Sequence, residues 1–202
     1  MDKSMIPLTV PYTPPMVRVR GIAFIGGVQF VKDTYGPEAH ERVVAALPAG
    51  PRGTFTLPIR DAVWKPLADL VLYAGTAREL LAPTDETFYA RLGFRSGTVE
   101  RSQGGFLPMV ADMPTAIRLA PVLWRSLYDT GRMSLTPDGD GRAIARVGDF
   151  PTTPALCQAN CAALAGLLSS ETRDVRTRQL ACVLDGAPVC EWEVTWDPEP
   201  AD

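Results

Sequence analysis

The sequence predicts an α+β fold in which an N-terminal layer of helices packs on a C-terminal antiparallel sheet of about four strands. Apolar residues recur at helical spacing through most of residues 21–128. Two hairpin patterns follow, and a helical stretch separates them. Because a sheet with one apolar face needs a covering layer, we expect the helices to lie against it.

The N-terminal part of the chain reads as a series of helices. The apolar spacing predicts one from Gly21 to Tyr35, ended by Gly36, and a second that starts at Pro37 and stops before Pro48. A loop is predicted at 48–56, followed by a helix that Asp61 caps and in which Pro66 marks a kink or a later start. A further helix is predicted at 85–92, closed by Gly93, and the stretch at 95–110 is unassigned. The last helix of this part is predicted at 112–128, with a kink at Pro121.

The C-terminal part reads as two hairpins around one helix. The first hairpin spans 133–147, a helix runs from Thr153 or Pro154 to Leu168, and the second hairpin joins 175–184 to 189–196 through Asp185-Gly186. The final strand alternates in character. Its two faces are Cys190, Trp192, Val194 and Trp196 on one side, and Val189, Glu191, Glu193 and Thr195 on the other.

Length and charge limit the classes of protein to consider. The 202 residues, 46% of them hydrophobic, suit one domain with a real core. We expect that domain to span 21–197, between an extended proline-rich arm at 1–20 and a tail at 198–202. A formal net charge of −3 supplies no basic field for a phosphate backbone, so we expect no nucleic-acid partner.

The cellular compartment follows from the N-terminus and the cysteines. Prolines interrupt the apolar residues of the first fifteen positions, which argues against a signal peptide. No apolar run approaches the ~20 residues of a membrane span. All four cysteines lie late in the chain, unlike those of a secreted disulfide scaffold. We therefore expect a cytoplasmic protein with no membrane span.

Two segments carry a resemblance to known families. Gly21-Ile22-Ala23-Phe24 through Thr34-Tyr35-Gly36-Pro37-Glu38 resembles the opening helices of a paralogous domain family of unknown function expanded in myxobacteria. Cys157 to Gly166, followed by Cys182 to Trp192, resembles the C-terminal half of vinyl-reductase-type sensory domains. Both are similar to branches of the superfamily that also holds haem nitric-oxide sensors and TRAPP vesicle-tethering subunits.

The resemblance implies a cavity or an interface between the helical layer and the sheet. Members of this superfamily bind haem, aromatic small molecules, acyl chains or protein partners, and few are enzymes. A homodimer is common among them, so we expect one here. The fold alone does not choose among these roles.

Haem is the first cofactor to consider. The haem sensors hold iron through a helical histidine in the middle of the chain, whereas His40 is the one histidine of this sequence. Its place in the second helix, beside Glu41, predicts a solvent-facing side chain. From the sequence we therefore expect no haem.

Zinc is the second cofactor to consider. The resemblance implies a structural zinc on a cysteine of the last helix, a glutamate before the hairpin and both hairpin cysteines. Cys157, Cys182 and Cys190 match the three cysteines, but Gln179 stands in place of the glutamate. Cys161 lies one turn after Cys157 and could supply a fourth thiolate. The alternative is four buried thiols that act as small apolar groups.

Signals for catalysis are weak. A nucleophile needs a base, and His40 is the one histidine that could serve a triad. The glycines at 21–27 lack the lysine of a phosphate-binding loop, and Asp138 to Gly141 suits a turn better than a calcium loop. Glu191 and Glu193 share one strand face, which fits a wet sheet surface better than an acid–base pair.

Aromatic residues are the candidates for lining a ligand pocket or an interface, although ordinary core is the alternative. They are Phe24, Trp64, Phe106, Trp124, Tyr128 and Trp192.

These observations favour a non-catalytic binding module. The hypothesis is a sensor of a small apolar ligand, or a protein-interaction adaptor, that acts through a partner. The second hypothesis is an enzyme, or an accessory protein, that acts on a hydrophobic cofactor.

Overall fold

The computed structural model describes residues 17–106, 109–170 and 173–197, and within them the chain forms seven α-helices, a short 3-10 helix at Val183–Asp185 and six strands. The helices are α1 (Gly21–Tyr35), α2 (Pro37–Ala46), α3 (Ala49–Thr56), α4 (Leu67–Leu81), α5 (Phe88–Gln103), α6 (Met113–Leu127) and α7 (Pro154–Leu168). The strands are β1 (Arg18–Arg20), β2 (Trp64–Pro66), β3 (Arg132–Pro137), β4 (Arg142–Gly148), β5 (Val175–Ala181) and β6 (Cys190–Trp196).

The main sheet has four antiparallel strands in the order β3-β4-β6-β5, which confirms the predicted fold class. The alternating residue pattern of β6 determines which of its side chains lie on each face of the sheet. Cys190, Trp192 and Val194 are buried, and Ala145 pairs with Trp192 on the same inner face. Helix α6 packs on β3, whereas α7 packs on β5 and β6, so these two helices cover the inner face.

The outer face of the sheet is a ladder of ion pairs. Glu193 accepts hydrogen bonds from Arg142 Nε at 2.9 Å and from Arg178 NH2 at 2.8 Å, and Glu191 accepts one from Arg146 Nε at 2.6 Å. The bonds from Arg178 are the main cause that holds the pKa of Glu193 below its usual range. These glutamates are therefore part of a solvated surface.

Two apolar cores lie on either side of the α5–α7 pair. One core joins α6 and α7 to the inner face of the sheet, with Trp124, Leu164 and Trp192 among its buried members. The other joins α1, α2, α3 and α4, with Phe24 and Tyr73 at its centre. Helix α5 contributes residues to both cores, so its contact with α7 lies at the boundary between them.

Glycines allow α5 and α7 to cross in backbone contact. A Cβ atom at Gly97 would lie 2.1 Å from the carbonyl oxygen of Ala163, and one at Gly93 would lie 2.0 Å from that of Ala159. These separations are far below van der Waals contact, so a side chain at either position would force the helices apart.

The structure corrects several local expectations in the helical part. Residues 49–56 form α3 rather than a loop, because Phe55 is buried against Phe24 and Tyr73. Asp61 caps no helix, since its side chain accepts from the adjacent Ala62 N–H. Residues 64–66 form β2, which pairs with β1, and α4 begins directly after Pro66.

Helix α5 is longer than its sequence predicts. It runs through Gly93 to Gln103 and thereby includes much of the stretch that the pattern left unassigned. Gly93 and Gly97 weaken the helical signal, but both are buried against α7, and this tertiary contact offsets their low helix propensity.

Helices α6 and α7 begin and end close to the predicted positions. Asp112 accepts from the Thr115 backbone N–H, and Thr153 accepts from that of Leu156, so each helix has a side-chain cap. Pro121 lies inside α6 on its exposed side.

Some expectations fall outside the described residues. These are residues 1–16 of the predicted arm and the tail at 198–202, whereas residues 18–20 form β1. Within the described ranges, none of the helices combines the length and the apolar character that a bilayer crossing requires.

Candidate functional site

Two small cavities lie in the interior, where α5 and α7 meet the neighbouring elements. The first, of about 60 Å³, is bounded by α1, α4, α5 and α7, and the second, of about 40 Å³, lies between α6, α7 and β3. Their walls share Glu100, Tyr128, Asn160 and Ala163. These four residues therefore mark the partition between two nearly apolar spaces.

The partition is built on a hydrogen bond between two elements. The Tyr128 hydroxyl donates to Asn160 Oδ1 at 2.8 Å, which links the residue after α6 to the middle of α7. Burial, followed by the nearby Glu100 carboxyl, raises the pKa of Tyr128 well above its usual range. The phenol therefore stays neutral and acts as a fixed donor to Asn160.

Glu100 is the unusual group of the interior. Its side chain is 5% exposed, and it forms no hydrogen bond or ion pair with any residue that the structure describes. Burial raises the pKa of this carboxyl to about 8. A buried acid without a partner has a free-energy cost, so its place in a cavity wall is a sign of function.

Ser96 extends the same polar wall by one helical turn. It precedes Glu100 by four residues, is 7% exposed and lines the first cavity. Its hydroxyl, like the Glu100 carboxyl, has no partner among the described residues. Helix α5 thus directs two unpaired polar groups toward one apolar space.

The six aromatic candidates divide into two groups. Tyr128 lines both cavities and Trp124 lines the second. The other four do not line these cavities: Phe24 and Phe106 lie in the cores, Trp192 lies beneath the thiols, and Trp64 lies under the Arg20 guanidinium.

Three of the four cysteine thiols converge where α7 meets the second hairpin. The Sγ atoms of Cys182 and Cys190 are 3.6 Å apart, and that of Cys157 lies 3.7 Å from Cys182 and 3.9 Å from Cys190. These three thiols, here called the thiol cluster, form a group of metal-ligating type. Cys161 is also buried on α7 but lies outside this group.

Two further groups face the thiol cluster. Gln179 Oε1 lies 3.0 Å from Cys157 Sγ. The indole Nε1 of Trp192 is buried without a conventional hydrogen-bond partner, and it favours the charged form of Cys157. Burial is the main cause that raises the pKa of Cys157 and of Cys190, so without a metal these thiols stay protonated.

The thiol cluster is accessible from one side. Cys157, Gln179 and Cys182 form part of the wall of an open groove of about 470 Å³, which also includes Arg78 and Glu86. The groove gives an ion a route to the sulfurs.

The single histidine does not face solvent as its sequence position predicts. His40 is 9% exposed, and its Nδ1 lies 2.8 Å from the hydroxyl of Tyr73, which α4 brings to it. Burial, with a smaller effect from Lys32, lowers the pKa of His40. It is a structural residue of the helical core and lies outside both cavity walls.

Comparison with known proteins places this architecture with H-NOX proteins. No family model matches the sequence, and no curated protein matches it either. The similarity is one of fold, and it confirms the fold that the sequence resemblance implied.

Three solved structures illustrate the similarity. An H-NOX protein from S. oneidensis in the Fe(II)NO state is 13% identical, with a TM-score of 0.67 over 88% of this chain and 99% of that one. An H-NOX mutant from K. algicida is 11% identical, with a TM-score of 0.63 over 90% and 98%. A third, described for protein-induced porphyrin distortion and haem redox potential, is 8% identical, with a TM-score of 0.59 over 87% and 99%.

The expectation of no haem is wrong by this comparison, because the proteins that share the fold are described by their iron and haem. The absence of a suitable histidine was too narrow a criterion. Tyr128 and Met133 in the cavity walls are of types that ligate haem iron elsewhere. The cavities of about 60 and 40 Å³ are smaller than a haem, so a haem would fit only in an enlarged interior.

Sequence reasoning missed Glu100, Ser96 and Asn160. One signal was available, because Gly93, Ser96, Gly97 and Glu100 recur at helical spacing on one face of α5. That face contains small residues and one acid, so it did not resemble a buried helix face.

Proposed function

We propose that this chain is a non-catalytic sensor domain whose interior, between α4, α5, α6 and α7, holds a small apolar ligand. The observation that carries the proposal is the pair of apolar cavities divided by Glu100, Tyr128 and Asn160. A ligand site needs apolar walls and a few well-placed polar groups, and this interior has both.

The positions of Tyr128 and Asn160 suggest how ligand binding in the interior changes the surface of the protein. Tyr128 directly follows α6 and precedes β3, and Asn160 lies in α7. A ligand that separates these side chains would shift α6 relative to α7 and thereby change the sheet. We propose that a protein partner, or the second subunit of a homodimer, reads this change.

The proposal favours a sensor over an enzyme acting on a hydrophobic cofactor. The cavity walls carry one carboxyl, one amide, one serine hydroxyl and the two phenols of Tyr89 and Tyr128. The Tyr128 phenol and the Asn160 amide are bonded to each other, and no described nucleophile of the wall has a base within hydrogen-bond distance.

The experiment is native mass spectrometry and absorption spectroscopy of the purified protein, before and after incubation with haemin. We expect a bound small molecule that the cavity-filling variant Ala163→Leu excludes. A Soret band would identify that molecule as haem. Equal ligand content in Ala163→Leu and in the unchanged protein would place the ligand outside the interior and contradict the proposal.

We also propose that the thiol cluster holds a structural zinc ion. Tetrahedral zinc at about 2.3 Å from each sulfur places the sulfurs about 3.8 Å apart, and the observed separations are 3.6, 3.7 and 3.9 Å. Cys157, Cys182 and Cys190 would supply thiolates and Gln179 Oε1 the fourth ligand. The Trp192 N–H would then donate to the Cys157 sulfur as an outer hydrogen bond.

A further inference from the structure

The unpaired groups of the first cavity define the chemistry of a ligand. We propose that this cavity binds a small primary amine, with its ammonium group on Glu100 and Ser96 and its apolar tail among the leucines of α4, α5 and α7. This inference rests on the proposed function, because it names the ligand class for the same interior site.

The acceptors of the polar wall outnumber its donors, which are the Ser96 hydroxyl and the Asn160 amide nitrogen. Glu100 presents two carboxyl oxygens and Ser96 one hydroxyl oxygen, none of which has a partner among the described residues. The Tyr128 oxygen can also accept, because its hydrogen is directed to Asn160. An ammonium group, which has three donors and no acceptor, complements such a wall.

The charge of the site points to the same ligand. None of the described residues that line either cavity is lysine, arginine or histidine. A carboxylate at Glu100 therefore has no counter-charge in the cavity walls, and a cationic ligand would supply it. A charge-assisted hydrogen bond in an apolar interior is stronger than a neutral one.

The size and the apolar walls of the cavity limit the hydrocarbon tail of the ligand. The space of about 60 Å³ is walled by Leu67, Leu70, Leu92 and Leu156 beside small residues of α7. It suits a tail of two or three carbon atoms that carries one amino group.

Binding of an amine at this site would be coupled to the release of a proton from Glu100. Burial raises the pKa of the free Glu100 carboxyl to about 8, so at pH 7 it is mostly protonated. An ammonium ligand stabilises the carboxylate, and binding then releases the carboxyl proton to solvent. A neutral ligand would bind without this release.

The experiment compares propylamine with the matched alcohol propan-1-ol by calorimetry at pH 7, in two buffers of different ionisation enthalpy. We expect the amine to bind about tenfold more tightly than the alcohol, with proton release. Glu100→Gln should abolish this preference for the amine and the proton release that accompanies its binding.

The possible results distinguish failure of the amine inference from failure of the proposed sensor function. Equal binding of the two probes, or an amine preference that persists in Glu100→Gln, overturns the amine inference. Interior binding of the alcohol alone would leave the sensor proposal standing. If neither probe bound while another apolar molecule occupied the interior, the amine inference would again fall and the sensor proposal would stand.

Discussion

The hydroxyl of Tyr128 donates to Asn160 Oδ1 at 2.8 Å, and this bond joins the end of α6 to the middle of α7 across the interior. On either side of it lies an apolar cavity. The bond therefore couples the two helices that cover the sheet, at the point where a ligand would enter between them.

Removal of this hydroxyl should weaken the contact between the end of α6 and the middle of α7. Tyr128→Phe leaves the Asn160 amide oxygen without its donor, so we expect the free energy of unfolding to fall by about 1 to 2 kcal/mol. Chemical denaturation measures the change. Tyr35→Phe is the control, because the Tyr35 hydroxyl has no partner among the described residues, and it should change stability by less than about 0.5 kcal/mol. Equal effects of the two variants would contradict the role of the Tyr128–Asn160 bond.

The glycine crossing of α5 and α7 should not tolerate a methyl group. Gly97→Ala places a Cβ atom 2.1 Å from the Ala163 carbonyl oxygen, so we expect a loss of about 2 kcal/mol or more. The control is Gly75→Ala in α4, where a Cβ atom meets nothing within 4 Å. That change should stabilise the protein by about 0.5 to 1 kcal/mol. Thermal unfolding of both variants is the measurement, and a stable Gly97→Ala would show that the helices are not in backbone contact.

Zinc content should depend on three cysteines and not on the fourth. Protein purified with zinc in excess should contain one ion per chain, as measured by elemental mass spectrometry. Cys157→Ser and Cys182→Ser should lower the content toward zero, because each removes a thiolate of the thiol cluster. Cys161→Ser is the matched control on the same helix and should retain the ion. Loss of zinc in Cys161→Ser but not in Cys157→Ser would refute the proposed ligand set.

The stability of the ligand-free protein should fall as pH rises from about 5 to 8. The Glu100 carboxyl ionises near its ordinary pKa in the unfolded chain but only near 8 when folded. Between these values the unfolded chain binds fewer protons, so the free energy of unfolding falls by up to about 1.4 kcal/mol per pH unit. Below the ordinary pKa the neutral acid imposes no such loss.

Glu100→Gln should remove this slope and should be more stable than the unchanged protein at pH 8, as measured by denaturation at several pH values. Glu38→Gln, an exposed change in α2, should keep the slope. A slope that survived in Glu100→Gln would assign the pH dependence to another group.

The C-terminal half of the fold was predictable because its signals are local. The strict alternation of β6 and the Thr153 cap each define an element without help from distant residues. The predicted strand 175–184 was too long, because β5 ends at Ala181 and Val183–Asp185 form a short 3-10 helix before Gly186. The convergence of Cys182 and Cys190 followed from the hairpin. The separation of Cys161 from them did not, because it depends on how α7 lies on the sheet.

The candidate ligand site was not predictable, because it depends on contacts between distant segments. Glu100 is buried only because Gly93 and Gly97 allow α7 to approach α5. His40 is buried only because α4 brings Tyr73 to it. The haem expectation failed for a related reason, since it was based on one residue type rather than on the fold.

The most direct test of the sensor account is a methyl-resolved NMR titration with a panel of small apolar molecules and haemin. The account predicts shifts concentrated at the interior methyl groups of Leu92, Leu123 and Leu156, and their loss in Ala163→Leu. Shifts confined to the exposed Leu57, Leu80 and Leu184 would contradict it and would indicate binding at the surface.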